Sequence, residues 1–136
     1  VTGPLGALGP YLWVGVGGCL GAAARYALGV WLGARVGTVF PYPTLLINVT
    51  GSLALGVLAG LLPLLPERAA PAGRLLLAVG VLGGYTTFST YALEAVALAQ
   101  RGEWLRAAGY VAASNGLALV ACAAGLAAAG AVARAP

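Results

Sequence analysis

Four apolar stretches, from about Tyr11 to Leu32, Leu45 to Leu65, Leu75 to Leu98 and Leu105 to Val132, take up most of this chain. Each approaches or exceeds the roughly 20 residues that cross about 30 Å of hydrocarbon as a helix. A water-soluble domain of this length needs a polar surface, and there is almost nothing here to build one from. Charged residues are 7% of the chain, against about a quarter in soluble domains. Lipid can cover the apolar surface instead. The expected fold is therefore all-α and integral to a membrane: one domain spanning 1–136, with four transmembrane helices.

Gly, Pro and Arg punctuate the stretches, and Pro63 and Pro66 close the second. Short connections make sequential neighbours pack as an up-and-down bundle. Small residues recur within the spans, as at Gly17, Gly18, Gly21, Gly51, Gly56 and Gly60. They let backbones approach closely, where apolar contact alone gives little net drive in lipid. The first stretch has no basic segment before it, which argues against a cleaved signal peptide.

The charges outside the spans are evenly divided. With four spans, Arg35, Arg101 and Arg106 fall on one side and Arg68, Arg74 and Arg134 on the other. Orientation in a membrane follows the bias of basic residues between the two sides, and here there is none. Either an external factor settles the orientation, or the chain inserts both ways and forms an antiparallel dimer. The seven Arg are too scattered for a nucleic-acid footprint, which needs a clustered basic face. Cys19 and Cys122 lie inside apolar runs and suggest no disulfide framework.

Polar groups inside the spans carry the functional signal. Arg25 is the one charge well inside a span, either a structural cation or one that draws an anion to a vestibule. Asn48 lies four residues into the second span, one turn after Thr44. A buried amide must find partners, so it is either glue between helices or a donor facing an ion. The third span contains Gly83-Gly84-Tyr85-Thr86-Thr87-Phe88-Ser89-Thr90-Tyr91. Paired glycines before three Thr and one Ser predict a helix break at mid-membrane, or a kink satisfied by the hydroxyls. Broken backbone is tolerated there only where protein or a water-filled cavity satisfies it, and such breaks favour ion sites. Phe88 and Tyr91 share one side of the helix, with Glu94 a turn further on. Ring edges suit an anion and ring faces a cation. Tyr110 and Ser114, with Asn115 adjacent, either extend a hydroxyl track or bond across helices.

Enzyme chemistry fits poorly. The chain has no His and no Lys to serve as a base, no metal-binding cluster and no phosphate loop. Passage of a small solute is the better class. A four-span multidrug exporter needs a carboxylate in its first span to exchange protons, and this first span has Arg25 and no Asp or Glu. A structural subunit that transports nothing is the other alternative.

Three ordered motifs resemble the Fluc fluoride channel family, also called CrcB. They are Gly17-Gly18-Cys19-Leu20-Gly21-Ala22-Ala23-Ala24-Arg25-Tyr26, then Pro43-Thr44-Leu45-Leu46-Ile47-Asn48-Val49-Thr50-Gly51, then Gly83-Gly84-Tyr85-Thr86-Thr87-Phe88-Ser89-Thr90-Tyr91-Ala92-Leu93-Glu94. The resemblance implies a passive channel that lets fluoride leave the cell. It also implies a dual-topology homodimer in the bacterial inner membrane, with two antiparallel pores along the subunit interface. The family's pore asparagine maps to Asn48 and its first pore phenylalanine to Phe88. The second maps to Tyr91, a departure that adds a hydroxyl. Thr87, Ser89, Thr90, Glu94, Tyr110 and Ser114 complete the expected pore lining, and Arg25 matches a family position. A further family serine falls at Ala118. The family's central sodium site maps to the backbone carbonyls of Gly83 and Thr86 from both subunits. On this mapping Gly83→Val damages the cage through bulk and restricted backbone angles, whereas Thr86→Ser leaves it largely intact.

Overall fold

The structure is a computed structural model, and it describes residues 4–37, 39–67 and 69–134. Arg68, one of the loop arginines counted above, lies outside the described residues. The elements are α1 (Pro4–Val36), α2 (Tyr42–Leu61) with a 3₁₀ turn at Leu62–Leu64, and α3 (Ala70–Gly73). A π-helical segment, Arg74–Leu82, leads into α4 (Gly83–Tyr85), followed by α5 (Phe88–Gln100) and α6 (Trp104–Ala133). There is no strand among the described residues.

Among the described residues, three stretches are long and apolar enough to cross a bilayer: Tyr42–Leu64, Ala70–Gln100 and Trp104–Ala133. The expectation of four is thus met in three. α1, 33 residues long, is not among these three. Boundaries differ mainly where proline and short helical turns extend the elements. Pro43 near the start of α2 needs no hydrogen-bonded N–H there, so that helix begins three residues before Leu45.

The third stretch is interrupted, but not at its glycines. Gly83, Gly84 and Tyr85 stay helical, with Gly83 at φ −65° and ψ −36°. The chain becomes extended at Thr86 (φ −79°, ψ 157°) and Thr87 (φ −149°, ψ 110°). The expected break is therefore corrected to the two threonines. Thr87 then caps α5, its Oγ1 accepting from the Thr90 N–H at 3.2 Å, the usual service of a threonine before a helix.

Glycines near the break serve contact rather than bending. A methyl carbon at Gly17 would lie 2.2 Å from the Leu76 carbonyl oxygen, and one at Gly84 would lie 2.6 Å from that of Gly18. Bare backbone lets α1 rest directly against the π-helical segment and α4. α2 and α6 meet in the same way: a methyl at Gly56 would sit 2.1 Å from the Cys122 oxygen, and one at Gly125 would sit 2.4 Å from that of Leu53. Dispersion between closely packed helices needs such small residues in lipid.

The turn into α6 has its own device. Gly102 adopts φ +78°, its N–H bonds the Ala99 carbonyl, and the Glu103 N–H bonds that of Leu98. This pair of bonds is a Schellman ending, which needs the left-handed residue that glycine supplies. Arg106 and Arg101 both bond Glu103 and hold its carboxyl below the ordinary carboxylate range. The pair is solvent-exposed and adds little to stability.

Few large side chains are buried. Leu45, Tyr91, Leu98, Ala107 and Tyr110 form the core cluster, drawn from α2, α5 and α6. Leucines, valines and tryptophans elsewhere point outward, Leu105 at 89% and Leu119 at 72% exposure among them. An outside this apolar fits lipid rather than water. Replacing Gly125 by leucine should drive a side chain into the α2 backbone and cost about 1–3 kcal/mol or more. Gly9→Ala, where a methyl would meet nothing within 4 Å, should be silent. Thermal unfolding of the two purified variants in detergent measures the contrast.

Candidate functional site

An interrupted helix leaves main-chain groups to satisfy, and here α2 satisfies two of them. Asn48 Oδ1 accepts from the Thr87 N–H at 2.8 Å, and Asn48 Nδ2 donates to the Thr87 carbonyl at 3.0 Å. One amide thus clasps both polar groups of a single extended residue. The second N–H of Nδ2 remains, and Asn48 lines a cavity of about 420 Å³. The two sequence readings of Asn48, glue or donor, are both open to the same side chain.

The clasp has a consequence for the residues before it. In an unbroken helix the Thr87 N–H would bond the Gly83 carbonyl, and the Thr90 N–H that of Thr86. The first is taken by Asn48 and the second by Thr87 Oγ1. Neither carbonyl keeps its helical donor. Thr86 O receives only a long contact, 3.5 Å, from Arg25 Nη1. Arg25 thus pairs with freed backbone, which favours the structural reading of that residue. Thr86 Oγ1 turns back to the Leu82 carbonyl at 3.0 Å. Its methyl reaches α2 where Gly51 has no side chain: a methyl at Gly51 would lie 2.4 Å from Thr86 Cγ2.

The backbone argument for damage by Gly83→Val does not survive, since Gly83 is helical. Within the chain, a methyl there would meet only the Ala78 oxygen, at 3.9 Å. The two carbonyls themselves suit a hard cation, which takes oxygen ligands. Among the described residues no cluster of His, Cys, Asp or Glu could hold a metal.

Phe88, Tyr91, Thr87 and Ser114 line the same cavity as Asn48. Ser89 and Thr90 are exposed and lie outside that lining. Their hydroxyls instead lie beside Thr87 Oγ1, at 3.4 and 2.9 Å. From the cavity a line of rings leads away. Phe88 and Tyr91 have centroids 5.3 Å apart, Tyr91 and Tyr110 5.4 Å, and Tyr110 and Phe40 5.5 Å, the last edge to face. Phe40 lines a second cavity, of about 220 Å³, together with Glu94 and Arg101.

Glu94, on the wall of the second cavity, is held from two helices. Thr44 Oγ1 donates to Oε1 at 2.8 Å, and the fully buried Tyr110 donates its hydroxyl to Oε2 at 2.6 Å. Thr44 was visible in the sequence only as a polar neighbour of Asn48. Its partner is fifty residues away, so no local pattern could pair them. Asn115 joins α6 to Tyr91 by a bond of 2.8 Å, the cross-helix alternative of the sequence reading. Ser114 Oγ is buried with no hydrogen-bond partner among the described residues.

The family model described as CrcB-like protein, Camphor Resistance (CrcB), matches residues 12–126. A protein of Rhizobium meliloti (strain 1021) named fluoride-specific ion channel FluC is 47% identical over 116 residues, covering 85% of this chain and 92% of its own length. One of the same name from Rhodospirillum centenum is 53% identical over 103 residues, covering 76% of this chain and 81% of its own. A third, from Nitrobacter winogradskyi, is 47% identical over 118 residues. The family model spans the three motifs and the clasped break, and relatives this similar cover most of the chain: the chain belongs to the CrcB family.

Proposed function

We propose that this protein is a fluoride-specific channel that passes the ion passively, out of the cell, through the bacterial inner membrane. The observation that carries the reading is the Asn48–Thr87 clasp. It keeps a helix broken beside a cavity whose wall carries the Asn48 amide, the Tyr91 and Ser114 hydroxyls and the Phe88 ring. Fluoride is small and strongly hydrated, so a path for it must replace water with close donors. Asn48, Tyr91 and Ser114 are such donors, and an aromatic ring such as that of Phe88 has a positive edge that suits an anion. Relatives named as fluoride channels over most of the chain support the same reading.

We infer further that α1 crosses the membrane as a fourth span, and that two copies assemble antiparallel. A single copy leaves Phe88 75% exposed and the cavity open to the outside. A second copy would close it. The balance of arginines on the two sides fits insertion in both orientations. A sodium ion would be held by the Gly83 and Thr86 carbonyls of two copies, and would supply fixed positive charge near the anion path.

Fluoride efflux from proteoliposomes, followed with a fluoride electrode and without a pH gradient, tests the function. Efflux should occur with the unmodified protein. Drug-coupled proton movement would instead favour an exporter, and no flux of either kind a structural subunit. Asn48→Ala should reduce efflux at least about tenfold, since it unpairs two main-chain groups in a low-dielectric setting. A fluoride flux that survives this substitution unchanged would remove Asn48 from the pathway.

Insertion can be tested with a single cysteine at Val39, in the loop after α1, on a background lacking Cys19 and Cys122. Membrane-impermeant reagent should label it from both faces of the membrane in comparable amounts; labelling from one face alone rejects dual topology. Sodium should raise the unfolding temperature of the purified protein where a bulky organic cation at equal ionic strength does not, because a ligand of the folded state stabilises it. Thr86→Ser should keep that response, since the ligand atom is main chain. An equal temperature in both salts would dismiss the cation.

A further inference from the structure

Asn115 lies on α6, outside every motif that carried the family resemblance. Its Nδ2 donates to the Val111 carbonyl, one turn back, at 2.8 Å, and to the Tyr91 hydroxyl, also at 2.8 Å. A carbonyl can only accept, so the amide nitrogen must be the end that faces Val111. Both N–H groups are then in use. Tyr91 Oη receives a hydrogen bond, and its own proton has to point elsewhere. Among the described residues no acceptor takes it.

Tyr91 is 9% exposed and lines the 420 Å³ cavity with Asn48, Phe88 and Ser114. Ser114 Oγ, next to Asn115 in sequence, is likewise buried without a partner. Two hydroxyl protons thus lack acceptors at the wall of one cavity. Leaving such groups unpaired in apolar surroundings is costly. An anion would satisfy both. A cation would need a hydroxyl lone pair, and at Tyr91 the Asn115 amide already occupies one.

The geometry points to Asn115 as a positioning residue that turns the Tyr91 hydroxyl into a dedicated anion donor. Tyr91 then binds the permeating ion through its O–H, not through a ring edge alone. This rests on the reading of the chain as a fluoride channel. Tyr91 touches the ion, and Asn115 acts through it by filling the lone pair that would otherwise compete.

The test is the concentration dependence of fluoride efflux for four proteins: unmodified, Tyr91→Phe, Asn115→Leu and the double variant. Tyr91→Phe keeps the ring, so efflux should persist with its half-saturating fluoride concentration raised about tenfold, the scale of one hydrogen bond to a charged group. Asn115→Leu should raise it comparably, and the double variant should match Tyr91→Phe alone, because Asn115 acts only through the hydroxyl. A merely structural Asn115 would lower maximal flux in both backgrounds and leave half-saturation alone. Should the leucine variant not fold, Asn115→Ala takes its place with the same expected coupling. Efflux from unmodified protein with an unshifted Tyr91→Phe, or shifts that multiply in the double variant, overturns the inference alone. No fluoride efflux from unmodified protein overturns it together with the channel reading.

Discussion

A polypeptide that leaves helical geometry in the middle of a bilayer exposes N–H and C=O groups to a medium with no hydrogen bonds to offer. Each unpaired group costs several kcal/mol, roughly 2–7 against an apolar solvent. The Asn48 amide meets that demand at Thr87 by matching a donor and an acceptor to one peptide residue. The other features near the break follow from it. Thr87 can be extended because its backbone is held, and being extended it can cap α5. Capping takes the Thr90 N–H, and the clasp takes the Thr87 N–H, which together release the carbonyls of Thr86 and Gly83 from their helical donors. A single side chain on a neighbouring helix thereby sets what the broken segment presents to its surroundings.

The second constraint is distance. The clasp requires α2 to lie close to the broken segment, and bare backbone at Gly51 makes room for Thr86. Gly17 and Gly84 bring α1 against the other side, and Gly56 and Gly125 fix α2 to α6. At Gly17, Gly84, Gly56 and Gly125 backbone atoms are the ones in contact, so side-chain rotation cannot relieve the packing. The polar groups are therefore placed by backbone packing, which is stiffer than packing between flexible side chains. Glu94 shows the benefit: its two oxygens are met by Thr44 from α2 and Tyr110 from α6, a geometry that depends on both helices keeping their places.

Chemically, the two cavities and the ring column between them bring polar donors and aromatic rings together. Arg25 meets freed backbone, and Arg101, paired with Glu103 on the exposed turn, also lines the second cavity. Discrimination in such a path rests on the number and direction of close donors. That is why the direction of one hydroxyl proton, at Tyr91, carries weight. A ring edge and a hydroxyl both favour an anion, but only the hydroxyl has a direction that a neighbouring amide can set.

Much of this was legible in the linear chain. A run of apolar residues without charge has few outcomes, so the helices, the membrane and α6 to within one residue at each end follow from composition and spacing. Asn48 and the threonines also stood out, because an amide and hydroxyls in hydrocarbon need partners. What those partners are is a matter of distance between segments far apart in sequence. The pairing of Asn48 with Thr87, of Thr44 with Glu94 and of Asn115 with Tyr91 joins residues 39, 50 and 24 positions apart. No local pattern encodes such a distance. The break shows the same division. Glycine predicts flexibility from its own conformational freedom, and on that ground Gly83 and Gly84 marked the place. In the folded chain Gly84 is spent on contact with Gly18, and the threonines bend instead, because only there does a second helix offer an amide to hold the opened backbone.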